Sequence, residues 1–353
     1  MLYDRISKAS TKSDAVGQIA LPAPYLLFLG DTTEAGYAKT AYGLRDWAPD
    51  KCVGEYALPS ATVTTGLPRL SPQEAADRGA RSMVIGVANS GGVITGNWIP
   101  ALLEALDAGL DIVSGMHMRL DSHPVLKERA VRLDRQLIGV REPPPNLPIG
   151  TGRKRSGKRL LTVGTDCALG KKYSALTITR GLQRRGLDAD FRATGQTGIM
   201  IAGSGIPMDA VVADFAAGAA EILSPDAAPD HWDVIEGQGS LFHPAYAGVS
   251  LALLHGSQPD VLVVCHEAGR TEILGLPGCS LPALEEVIDL NLRLGARTNA
   301  AIRCGGVTIN TSNLSADAAA ELLDREADRL GLPVADPVRG GDRFERLLDR
   351  CIG

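Results

Sequence analysis

The residues best suited by type and spacing to do chemistry form one run: Gly164, Thr165, Asp166, Cys167, Ala168, Leu169, Gly170, Lys171, Lys172 and Tyr173. The apolar stretch 158–164 leads straight into them, and an amphipathic stretch follows at 170–185. A strand, a glycine-framed loop and a helix that opens on Gly-Lys together make a phosphate cradle. Small residues let successive backbone N–H groups turn inward, the helix N-terminus adds positive potential, and Lys171 neutralises a phosphate oxygen. Asp166 would repel a phosphate if it pointed inward, so it is expected to face substrate, a metal or a backbone amide.

Two departures from the usual GxxxxGK[ST] spelling narrow the ligand. Thr165 stands where the first glycine would be, and the glycine comes one residue earlier, at Gly164. That Gly-Thr-Asp form resembles the loop of dethiobiotin synthetase and its relatives. The second departure is Lys172, which replaces the Ser or Thr whose hydroxyl binds Mg²⁺. Ser174 is the nearest substitute, but two positions along a helix turn it roughly 200° away. The loop therefore reads as a cradle for a metal-free pyrophosphate, and no metal ligand set is expected.

Other candidates cluster after strands. Glu236, Gln238, Ser240 and His243 follow the apolar run 232–236, so they should share a rim with the loop. Glu236 and His243 are candidate general bases, and Gln238 and Ser240 candidate substrate ligands. His266 and Arg270 follow the run 260–266. The histidine is a further candidate catalytic base, and the arginine a carboxylate clamp. Gln196 and Thr197 open a glycine-rich stretch, 196–205, read as a loop after a strand at 190–195, and could hydrogen-bond substrate. Cys167 could act as a nucleophile at a helix N-terminus, but no histidine is near it in sequence. His117, His123, His231 and His255 have no such context and read as core or surface residues.

These groups need two domains to position them, and 353 residues exceed one usual core. Short apolar strands at 25–31, 82–89 and 111–115 alternate with a helix at 99–109, and a glycine turn closes at Gly92. That rhythm makes a parallel sheet, Rossmann-like but without GxGxxG. Residues 141–154 contain three consecutive prolines and read as a linker, with the domain boundary near 142–157. The domains expected are 1–148, a Rossmann-like N-terminal domain, and 149–353, a doubly wound P-loop α/β domain with further strands at 158–164, 232–236, 260–266 and 300–309. The basic run 152–159 reads as part of the solvated linker. A net charge of −5 argues against a nucleic-acid partner. No basic-then-apolar leader and no membrane-length apolar run occurs, and six scattered cysteines fit reduced cytoplasmic thiols. A soluble cytoplasmic homo-oligomer, dimer or larger, is expected.

Four strings together resemble the DUF1611 family: Val163 to Lys171, Thr194 to Ile199, Glu236 to Pro244 and Cys265 to Arg270. The resemblance covers roughly residues 20 to 345, and it implies a Rossmann-like domain followed by a P-loop domain. The Lys-Lys-Tyr-Ser form after Gly170 is similar to the branch that contains D-glutamate N-acetyltransferase. What this branch implies is acetyl transfer from acetyl-CoA to the amino group of D-glutamate, a step of amino-acid catabolism. Coenzyme A carries a pyrophosphate and needs no Mg²⁺, in keeping with paired lysines and no metal hydroxyl. The alternatives are an ATP-dependent ligase, kinase or carboxylase of the dethiobiotin-synthetase kind, using Mg-ATP, and a non-catalytic nucleotide sensor.

Overall fold

The structure, a computed structural model, describes residues 19–89 and 91–353. The N-terminal stretch without a leader pattern, and Ser90 of the glycine turn, lie outside the described residues. The chain divides into two compact units: residues up to Pro144 together with Gln196–Ala210, and Pro145–Gly195 together with Val211–Gly353. The segment 196–210, placed in the second domain by the sequence reading, thus packs with the first unit.

In the first unit, β2 (Tyr25–Phe28), β3 (Cys52–Tyr56), β4 (Ser82–Ile85), β5 (Asp111–Ser114) and β6 (Leu137–Gly139) form a parallel sheet in the order β3-β2-β4-β5-β6. Three of these, β2, β4 and β5, have every residue buried, as strands of a parallel sheet covered on both faces must. The order reverses between β2 and β4, as in doubly wound domains. Helices α1 (Lys39–Trp47), α2 (Pro72–Asp77), α3 (Ile99–Asp107) and α4 (Pro124–Leu133) supply the crossovers. The short β1 (Ile19–Ala20) pairs antiparallel with β9 (Ser204–Gly205).

The stretch read as a glycine-rich loop is a helix, α6 (Gln196–Ala202). Burial of Ile199, Met200 and Ile201 outweighs the poor helix propensity of Gly198. Lys51 Nζ also caps its end, donating to the carbonyls of Ile201 (2.9 Å) and Ala202 (2.8 Å). Neither contact is visible in local sequence.

The second unit holds a six-stranded parallel sheet in the order β13-β12-β11-β7-β10-β8. Its strands are β7 (Lys158–Gly164), β8 (Ala189–Arg192), β10 (Trp232–Ile235), β11 (Val261–Glu267), β12 (Arg303–Asn310) and β13 (Val334–Ala335). Helix α5 (Lys171–Arg184) follows the loop and buries Ala175, Ile178 and Leu182 in a core with Leu160, Val234, Val263 and Phe344. Helices α7 (Ala213–Leu223), α8 (Ala247–Ser257), α9 (Leu284–Gly295), α10 (Ala316–Leu330) and α11 (Asp342–Ile352) complete the layers. No described helix is long and apolar enough to cross a membrane. All six cysteines are free.

The basic run is not a solvated linker throughout. Arg155 and Arg159 are 6% and 1% exposed. Arg155 donates to the carbonyls of Ser224 (2.7 Å) and Gly256 (2.7 Å), and burial pulls its guanidinium down to about 10. Arg159 donates to Ser224 Oγ (2.7 Å) and to the Pro225 carbonyl (2.7 Å). Ser224 Oγ passes the network to Asp233 Oδ2 (2.6 Å). These arginines fasten the start of the second unit to the C-terminal ends of α7 and α8.

His231 joins the same acidic patch, with Nδ1 2.8 Å from Asp188 and Nε2 3.1 Å from Asp233. Burial lowers its pKa, but the hydrogen bonds to the two carboxylates outweigh that, and the net shift is upward. A raised folded-state pKa means that the stabilisation is complete below the unfolded value, about 6.5, and fades as pH rises through the folded value. Melting temperature should therefore fall between pH 6.5 and the folded pKa in the native chain more than in His231→Gln. Parallel melting curves for the two proteins across that window would remove His231 from the pH response.

Candidate phosphate-binding site

The loop between β7 and α5 is built as the sequence reading expects, at the carboxyl end of the sheet. Gly170 precedes the helix with φ at +105°, a conformation open to glycine, and Ala168 also lies in the left-handed region at +53°. Such backbone turns a run of amides toward one point. The first amides of α5 have no carbonyl one turn back to bond.

Asp166 is fully buried and faces away from the cradle. Its Oδ1 accepts from the Cys167 amide (2.6 Å), and its Oδ2 from the Leu274 amide (2.8 Å) and Arg270 Nη1 (3.1 Å). Of the three orientations open from sequence, the backbone amide is the one realised, with an arginine added. Arg270 also donates to the Cys167 carbonyl (2.8 Å) and pairs with Glu267. In the structure its guanidinium thus braces the loop, where a free carboxylate clamp was expected. That bracing partner is 104 residues away in sequence, and no local pattern announces it.

Lys171 is buried, and its Nζ donates to the Asp166 carbonyl (2.6 Å). Burial pulls the pKa of both Lys171 and Lys172 down. The Lys172 ammonium also lies 4.6 Å from the Tyr173 ring centroid. Ser174 turns away from the cradle, its Oγ 2.9 Å from Thr308 Oγ1, so it does not replace the missing metal hydroxyl.

Glu236 stands at the end of β10, 5% exposed, with Oε2 accepting from the amides of Thr194 (3.0 Å) and Gly195 (3.1 Å). Burial raises its pKa, and Lys172 is the largest of the opposing effects. Gly237 follows, and a β-carbon there would overlap the Thr162 carbonyl oxygen, so only glycine lets β10 end this close to β7. Gln238 Nε2 donates to Thr194 Oγ1 (2.9 Å), and Ser240 Oγ accepts from the Phe242 amide (3.2 Å). Both side chains are engaged in shaping the turn after β10.

The two histidines differ. The Ala245 amide donates to Nδ1 of His243 (3.1 Å), so the neutral ring carries its proton on Nε2, which faces Asp166 Oδ1 at 4.0 Å. As placed, His243 offers the loop a donor, not the lone pair a base needs. His266 Nδ1 lies 3.0 Å from Thr165 Oγ1, and burial lowers its pKa. Cys167, Asp166 and His243 bring ligand atoms within 4.8 Å of one another, a grouping hidden in sequence because 76 residues separate His243 from Cys167. The same Ala245 bond turns an N–H toward this group, which disfavours a cation there. It also leaves Cys167 without a base, and burial raises its thiol pKa.

Gln196 and Thr197 belong to the first unit, where Thr197 Oγ1 lies 3.1 Å from Thr40 Oγ1. Beside the loop, the second unit holds a cavity of about 240 Å³ lined by Leu169, Gly170, Tyr173, Asn310, Asp336 and Val338.

Residues 148–348 match the model of the DUF1611 family described as a P-loop domain of unknown function, and residues 50–143 match its Rossmann-like N-terminal domain. The chain belongs to the DUF1611 family. It is 48% identical over 318 residues to a D-glutamate N-acetyltransferase of Pseudoalteromonas sp, covering 90% of this chain and 96% of that one. A second D-glutamate N-acetyltransferase, from Tritonibacter scottomollicae, is 49% identical over 93% of this chain and 98% of its own. The crystal structure of a DUF1611 family protein from Anabaena variabilis superposes with a TM-score of 0.81 at 33% identity, covering 93% of this chain and 99% of that one. This DUF1611 chain therefore has the α/β architecture read from its sequence: a Rossmann-like sheet, then a P-loop sheet.

Proposed function

We propose that the chain transfers the acetyl group of acetyl-CoA to the amino group of D-glutamate. The observation that carries this reading is near-half identity, along almost the full length of both chains, to relatives that bear this activity in their names. The loop supports the choice of donor. Two amines whose burial is costly gain from a nearby anion, and the Ser174 hydroxyl is engaged with Thr308. Lys171, Lys172 and the amides at the start of α5 would hold the diphosphate of CoA. The 240 Å³ cavity beside Gly170 and Tyr173 has room for its adenine.

Acetyl-CoA, when bound, supplies an activated thioester carbonyl. The acceptor amine must lose a proton before it attacks, so a base is needed near that carbonyl. The arm joining the diphosphate of CoA to its thioester is roughly 15 Å long when extended, by ordinary bond lengths. Groups that touch the diphosphate therefore do not also touch an extended thioester. On that ground Glu236 and His266 serve the loop: Glu236 holds the 194–195 turn and balances Lys172, and His266 fixes Thr165. Glu236→Ala is expected to raise the KM for acetyl-CoA and to leave the acid limb of the kcat profile in place. Loss of that limb at unchanged KM would make Glu236 the base after all.

Calorimetric titration separates this reading from an ATP-dependent one. Acetyl-CoA should bind without added metal, and Mg-ATP should bind much more weakly. Tight Mg-ATP binding with no CoA binding would overturn the proposal.

A further inference from the structure

We propose that a cavity of about 330 Å³ in the first unit, at the carboxyl ends of β5 and β6, is the binding site for the acidic amino acid. The identity of the ligand rests on the acetyltransferase reading; the site itself rests on geometry and charge. Open parallel sheets take ligands outside the carboxyl ends of their strands, and the volume lies in the range of small-ligand pockets. Ser114 ends β5, Gly139 ends β6, and both line the cavity.

Three charged side chains define its chemistry: Arg119, Arg141 and Glu142. Arg141 is fixed from behind, donating through Nε to the Gly115 carbonyl (2.8 Å) and through Nη1 to Asp209 (2.7 Å). Arg119 pairs with Asp121 (2.9 Å) and with Glu142 (2.9 Å). Gly139 makes room for the carboxylate, because a β-carbon there would press on Glu142 Oε1. Two guanidinium groups and one carboxylate complement a ligand with two carboxylates and one ammonium, which is the charge pattern of glutamate. Each guanidinium can take one carboxylate, and Glu142 can take the ammonium, giving up its contact with Arg119 Nη2 while Asp121 keeps hold of Arg119 Nε. Glutamine would leave one arginine unmatched.

The test is calorimetric titration of D-glutamate, with D-glutamine beside it, into the full-length chain, Arg119→Gln and Glu142→Gln, with and without CoA. The Arg119 side chain is 57% exposed, so its replacement should leave the fold intact. Expected are weaker binding of glutamine than of glutamate by the unmodified chain, and about tenfold weaker glutamate binding in each variant, the loss of one charge-assisted contact. In turnover, the KM for D-glutamate should rise while the KM for acetyl-CoA stays fixed. Equal glutamate affinity in all three proteins, or no binding by the unmodified chain under either condition, would overturn the site. Binding through these residues without any acetyl transfer would uphold the site and sink the acetyltransferase reading. Acetyl transfer with unchanged KM in both variants would do the reverse.

Discussion

Lys171→Ala is expected to weaken acetyl-CoA binding by on the order of 100-fold, because a charge-assisted contact to phosphate is worth about 3 kcal/mol. The loss should appear in titration and in KM alike. The fold should survive. Among the described residues the Lys171 ammonium makes one hydrogen bond, to the Asp166 carbonyl, and its burial is itself unfavourable. Asp166 and the loop remain braced by Arg270 and by the Leu274 amide. A variant that melts near the native temperature and still binds acetyl-CoA normally would remove the loop from the site.

Arg159→Met is expected to have the largest effect on stability, a loss of about 3–5 kcal/mol, the usual result of removing one partner from a buried ionic network. Arg159 is 1% exposed and sits between the carbonyls of Arg155, Ser156 and Pro225 and the Ser224–Asp233 pair. Methionine fills much of the same volume but satisfies none of these acceptors. Burial lowers the pKa of Arg159, and Asp233 is the largest opposing influence, so the charge is held by its partners. Denaturant melts read the difference directly, and an unfolding free energy within about 0.5 kcal/mol of the native value, the range of ordinary surface changes, would show the network to be idle.

The phosphate loop was legible because its determinants are local. A strand, small residues, a Gly-Lys pair and an amphipathic helix lie within about thirty positions, and the chain folds them as spelled. Asp166 could be turned away from phosphate by charge alone, but not assigned among substrate, metal and backbone amide; the structure gives it an amide. The rest depended on contacts between distant segments. The burial of Arg155 and Arg159 follows from carbonyls at 224–225 and 256, which a run of basic residues does not announce. Helix α6 draws its stability from packing and from Lys51, roughly 150 positions earlier, against a local glycine signal that favours a loop. His243 could be placed on the right rim from sequence, but its tautomer was fixed by the Ala245 amide, a detail of the turn. Arg119, Arg141 and Glu142 fall in or before a proline-rich stretch that reads as a linker, so the cavity they line had no signal.

The most direct test of the central claim is release of free CoA thiol from acetyl-CoA by the purified chain, with D-glutamate, with L-glutamate and with neither, and without metal or ATP. The account predicts thiol release that depends on D-glutamate, matched mole for mole by N-acetyl-D-glutamate. No D-glutamate-dependent release, or release that requires Mg-ATP, would contradict it.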